Sequence, residues 1–142
     1  MIQILSGIQN TTAALDAERT RLDVISENIA NAQTTRGPDG KPYQRRIVAF
    51  ETALQQALGS HQGAQTTGPQ VARISKDTRA PIQVYEPEHQ DADARGMVAM
   101  PNINIHEEMA DMIAASRAFE ANLAVVKNSR AMAMQTLAIG KR

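Results

Sequence analysis

The sequence predicts an α+β fold that is mainly α, with a long helix at each end and a small, loop-rich β insertion between them. Three observations lead there. A seven-residue apolar repeat runs over residues 3–31, and alternating steps of four and three carry apolar residues over 104–139. The stretch between them is punctuated by glycine, proline and short strand-like runs. Composition agrees: aromatics are only 3% of residues and tryptophan is absent, so the core is aliphatic and methionine-based, which suits packed helices. At 142 residues the chain makes one ordinary domain, divided into a helical part (1–34 with 102–142) and a β-rich insertion (35–101).

In the first helix, Ile8, Leu15, Leu22 and Ile29 fall on one line, which Met1 extends backwards. Ile25, with Ile4 or Leu5, adds to a companion line that Thr11, Thr12, Glu18 and Arg19 leave half polar. No proline interrupts the run and Gly7 lies near its start, so the element is one long helix with a narrow seam. Asn28 and Asn31 fall at its end, where asparagine caps a helix or turns left-handed to stop it.

Turn chemistry follows over 34–42, with Asp39-Gly40 favouring a tight reversal. Strands are expected at 43–51, 71–75, 82–86 and 97–100, with 52–58 open between strand and short helix and 59–69 an exposed loop. In the last helix the steps from Ile105 reach Met109, Met112, Ser116, Phe119, Leu123, Val126, Arg130, Ala133 and Leu137, and eight of those ten positions are apolar. Asn104 with Glu107 resembles a capping box. Glu107, Glu108 and Asp111 at the start and Lys127 and Arg130 toward the end suit the helix dipole.

Length then bears on function. A compact chain of this size is about 37 Å across, whereas the helices would span about 44 and 54 Å. Paired with each other they bury only the facing stripe, which leaves Val24 and Ile25 on one, and Ile113 and Val125 on the other, for further chains. That is the logic of an assembly subunit whose seam is Ile8, Leu15, Leu22, Ile25, Ile29, Met109, Met112, Phe119, Leu123, Val126 and Leu137. In isolation the terminal helices are expected to be poorly ordered, with the insertion holding most of the monomer's stable structure. On periodicity alone, the core of a plain helical hairpin stays open.

Fifteen basic residues balance fifteen acidic ones, which argues against a nucleic-acid partner. Cysteine is absent, so disulfides and thiolate chemistry are excluded. No stretch approaches the ~20 apolar residues of a membrane span. The start lacks the basic and apolar regions of a secretory signal, so the chain is expected to stay in the cytoplasm or leave without a cleaved leader. No serine sits in a glycine elbow. Gly37 to Lys41 is too short for a phosphate loop, with Pro42 where Ser or Thr is required. His89, Asp91 and Asp93 are the best metal candidates, but one cluster on an extended segment reads better as a polar loop. Arg36, Lys41, Arg45 and Arg46 form a basic cluster suited to acidic residues of a partner. No catalytic, cofactor or metal residue and no small-molecule substrate are expected; the chain reads as no enzyme.

Specific blocks add a resemblance. Leu22-Asp23-Val24-Ile25-Ser26-Glu27-Asn28-Ile29-Ala30-Asn31-Ala32, then Thr34 or Thr35, resembles the N-terminal signature of the flagellar rod, hook and filament-junction family. Glu108 to Ile113, then Ser116 to Asn122 with Glu120 and Asn122, resembles that family's C-terminal signature. Gly37 to Tyr43, Val84 to Pro87, Asp91 to Asp93 and Met100 to Asn102 look like its C-type proximal rod branch in the bacterial flagellar basal body. Phe119 stands where the family usually has tyrosine, Glu88 and Gln90 replace a glycine and a proline, and Met97 an aromatic.

The resemblance implies terminal helices paired as an antiparallel coiled coil and packed around a channel, forming a hollow drive shaft across the periplasm. It implies copies of itself, other flagellar rod proteins and the membrane ring at the rod base as partners. It further implies passage through the flagellar type III export apparatus. Asn28 and Asn31 would hold the helix end and bond a neighbouring subunit's backbone. The rivals are a non-flagellar helical assembly or adaptor protein and, least favoured, a small metal-dependent enzyme.

Overall fold

A computed structural model describes residues 2–52 and 69–139. Two long helices frame them: α1, Ile2–Ala30, and α2, Ile105–Ile139. They run in opposite directions. Asn28 meets Glu108, Arg21 meets Asp111, and Ala14 and Ala17 share a cavity wall with Asn122. Between them lie two separate antiparallel hairpins, β1 (Arg46–Thr52) with β2 (Pro69–Lys76) and β3 (Ile82–Tyr85) with β4 (Met97–Met100). Arg46 pairs with Lys76 and Ile82 with Met100, and the first ladder shifts register between Ala49 and Phe50. Segment 53–58 and most of the loop expected over 59–69 lie outside the described residues; Pro69 already belongs to β2. No helix of the described residues is long and apolar enough to cross a membrane.

Local chemistry explains where the elements stop. Asn31 ends α1 without a left-handed turn, since among the described residues only glycines have positive φ. Its side-chain amide donates to the Glu27 carbonyl at 2.9 Å, and its carbonyl oxygen accepts from Thr34 Oγ1. Gly40, at φ 70°, closes the reversal, and Gly37 N–H donates to the Lys41 carbonyl at 2.8 Å. At the other end Asn104 caps α2, its Oδ1 accepting from His106 N–H while its carbonyl accepts from Glu108 N–H. Strand β1 begins at Arg46 rather than Tyr43, because Tyr43 is held against the end of α1 and Arg45 against the start of α2.

The second hairpin turns on Gly96. Its φ is 76°, and a Cβ placed there would lie 2.9 Å from Tyr85 Cε2 and 3.1 Å from Pro87 Cβ. Gly96→Ala is therefore expected to destabilise the protein by about 1–3 kcal/mol. Chemical denaturation checks this, and Gly40→Ala, with open space around its Cβ, should cost less.

The core departs from expectation in one respect. Val24 and Ile25 are not left wet: they are 6% and 5% exposed, because the β1–β2 hairpin folds back over α1 and brings Ile47, Val48 and Phe50 to them. Ile113 and Val125 do remain exposed. Buried apolar side chains lie mainly on the two helices, at Ala17, Val24, Ile25 and Ala115, joined by Val98 of β4. Most of this burial is on the helices, so, in place of the poorly ordered terminal helices expected from the sequence, amide exchange in the dilute monomer is expected to be slowest around residues 22–28 and 108–116, and much faster at 130–139. Equal protection along the whole of α2 would contradict that gradient.

Candidate functional site

Asn28 and Glu108 face each other across the helix pair, each 1% exposed. A buried amide and carboxylate require partners, and the chain supplies them from the segment leading into β1. Asn28 Nδ2 donates to the Arg46 carbonyl at 2.9 Å and to Glu108 Oε2 at 3.1 Å. Its Oδ1 accepts from Arg46 N–H at 2.9 Å and from the Tyr43 hydroxyl at 3.0 Å. The amide thus mimics a strand neighbour at the start of β1, and both its donors and its acceptor are used within the chain. It is not left to bond a neighbouring subunit's backbone, the role the resemblance implied.

Arg45 completes the junction. Its Nε donates to Glu108 Oε1 at 2.6 Å, while its terminal nitrogens lie 4.0 Å from Asp77 and 3.8 Å from Asp111. Arg21 reaches the same Asp111 at 3.6 Å, and Arg46 pairs with Glu27 at 2.9 Å. Burial and the nearby Glu27 carboxylate push the Tyr43 phenol above its ordinary pKa, so it remains a neutral donor to Asn28. The Asp77 carboxylate is held below its usual range by the Arg79 backbone N–H and then by the Arg79 guanidinium. Of the basic cluster, Arg45 and Arg46 are thereby engaged inside the chain, whereas Lys41 stays exposed.

The residues weighed as metal ligands have structural tasks. His89 Nδ1 accepts from Asp91 N–H, and the Asp91 carboxylate takes Thr35 Oγ1 at 2.9 Å and Arg36 at 3.4 Å, tying the 86–96 loop to the 34–43 turn. Asp93 Oδ1 accepts from the backbone N–H groups of Arg95 and Met97, which hold its carboxyl below the ordinary range, the Met97 bond foremost.

The proposed seam divides into two faces. On α1, Ile25 is buried and Ile8, Leu15, Leu22 and Ile29 are half-buried. On α2 the buried and half-buried stripe runs through Glu108, Met112, Ala115, Phe119, Asn122, Val126, Ser129 and Ala133. Met109 and Leu123 lie on its flank and are exposed, as is Glu120; Leu137, five turns above Phe119, continues the stripe and is exposed beyond it. On the opposite flank Val125, Met132 and Ile139 are exposed too. The helix is therefore open and apolar on both sides of its contact with α1.

Sequence reasoning placed Asn28 in a motif but missed Tyr43, Arg46 and Glu108 as its partners and Arg45 as the cation of Glu108. A signal existed: Glu108 is the one charged residue on a mostly apolar stripe, and an acidic residue inside a helix contact needs a cation.

Residues 8–38 match the family model described as flagella basal body rod protein, and residues 94–139 that of flagellar basal body rod FlgEFG protein C-terminal. Curated relatives named flagellar basal-body rod protein FlgC match nearly end to end. The Borreliella burgdorferi protein is 40% identical, over 96% of this chain and 97% of its own length. That of Yersinia enterocolitica is 38% identical, over 91% and 92%. That of Bacillus subtilis is 33% identical, over 92% and 94%.

Proposed function

The chain belongs to the FlgC family of flagellar basal-body rod proteins, structural components of the basal body and not enzymes, and on that premise we propose that it builds the proximal rod through its terminal helices. In this reading α1 and α2 pair as an antiparallel coiled coil, subunits stand side by side around a central channel, and the hairpins face outward. The hollow shaft so formed crosses the periplasm, transmits torque and passes later exported subunits. The chain reaches it through the flagellar type III export apparatus and contacts the other rod proteins and the membrane ring at the rod base.

The observation that carries the reading is the pair of open flanks on α2. Met109 and Leu123 on one side, and Val125, Met132 and Ile139 on the other, are too many large apolar groups for one exposed helix to leave without partners. A subunit with neighbours on both sides needs that arrangement, and burying each such side chain contributes about 1.5–3 kcal/mol. Electron cryo-microscopy of basal bodies from the organism that encodes the chain is the test. The chain is expected in the rod with both flanks buried against neighbours; rods without it, or with these flanks facing the channel water, would overturn the proposal.

A further inference from the structure

Helix α2 does not turn its most apolar face toward α1. The richest stripe passes through Met109, Met112, Phe119, Leu123 and Val126, but the stripe that meets α1 replaces Met109 and Leu123 with Glu108 and Asn122. Adjacent residues stand about 100° apart around a helix and the two lines share Met112, Phe119 and Val126, so a turn of about half that angle would carry the contact from one line to the other. Apolar burial alone favours that turn. What opposes it is polar: the Glu108 carboxylate is buried between Arg45, at 2.6 Å, and Asn28, at 3.1 Å, and turning α2 would strip both groups of partners they cannot replace inside the protein.

We propose that Glu108 and Asn28 are positioning residues that set the rotation of α2 against α1, and that this setting keeps the Met109–Leu123 line out of the intramolecular contact. That the rod uses the line rests on the reading above; the rotation itself does not.

Methionine oxidation by hydrogen peroxide reads the rotation in the dilute, full-length monomer, since each exposed thioether takes one oxygen to become a sulfoxide and releases water. Met109, Met132 and Met134 are 51%, 59% and 62% exposed and should oxidise faster than half-buried Met112. In Glu108→Leu, which matches the volume of the carboxylate without its need for partners, Met109 should slow several-fold relative to Met132 as its line turns inward. Glu108→Gln keeps the shape but has a single acceptor oxygen, so it retains only one of the bonds from Arg45 and Asn28 and should shift the pattern less than Glu108→Leu. The chain contains no cysteine, so a short thiol crosslink between Ala14→Cys and Asn122→Cys reads the same setting; it should form in the parent and weaken in Glu108→Leu. An unchanged oxidation pattern and crosslink in Glu108→Leu overturns the proposal. So does a shift as large in Glu108→Gln. Loss of helical circular dichroism in Glu108→Leu overturns it as well, because a residue that only sets rotation can be removed with the helices still formed. All these readouts concern the single chain and stand apart from rod incorporation.

Discussion

Leu123→Asp is expected to abolish rod assembly, and with it swimming, while leaving the folded monomer within about 1 kcal/mol of the parent. The two effects separate because Leu123 is already 37% exposed in the single chain and lies off the α1 contact. A carboxylate there stays hydrated before assembly. Between neighbouring subunits it would be buried without a cation, at a cost of several kcal/mol per interface, repeated at every subunit. Val126→Asp is the informative contrast. Val126 is half-buried against α1, so this change should also lower the monomer's own stability, by about 1–3 kcal/mol. Motility on soft agar, export into the medium and thermal melts of the purified chains separate the cases. Normal swimming of Leu123→Asp would mean that the flank is not an interface.

Asn28→Ala should be the most damaging single truncation for the monomer, costing about 3 kcal/mol. It leaves the Arg46 N–H and carbonyl, the Tyr43 hydroxyl and one Glu108 oxygen short of a partner at a single stroke. Tyr43→Phe removes only one of those bonds and should cost about 1 kcal/mol. The phenol also fixes the pH dependence. Its folded-state pKa is raised above the ordinary value near 10, so its contribution is complete below about pH 10 and is lost as pH rises through the raised value. Urea titrations of parent and Tyr43→Phe at neutral and strongly alkaline pH measure this; the gap between them should close on the alkaline side. A gap independent of pH would mean that Tyr43 contributes by packing alone.

Both helices were legible in the residues to within two positions at either end, as were the reversal at Gly40, the cap at Asn104 and the outlines of three of the strands. These features rest on contacts between residues a few positions apart, where periodicity and turn chemistry act directly. The expected open flank at Ile113 and Val125 was legible for the same reason, since a helix of known period has only so many faces. Family signatures in Leu22 to Ala32 and Glu108 to Asn122 carried the assignment to the rod, independently of any contact geometry.

Only the tertiary structure decided which face of α2 meets α1 and what covers Val24 and Ile25. The apolar count favoured the line through Met109 and Leu123, and the fold chose the line through Glu108 and Asn122. Glu108 finds Arg45 at a separation of 63 residues and Asn28 at 80, distances that no local pattern reports. Likewise Val24 and Ile25 are covered because a hairpin some twenty residues downstream returns across α1. Periodicity says how many apolar faces a helix has; which one is turned inward depends on where a buried carboxylate can find its cation.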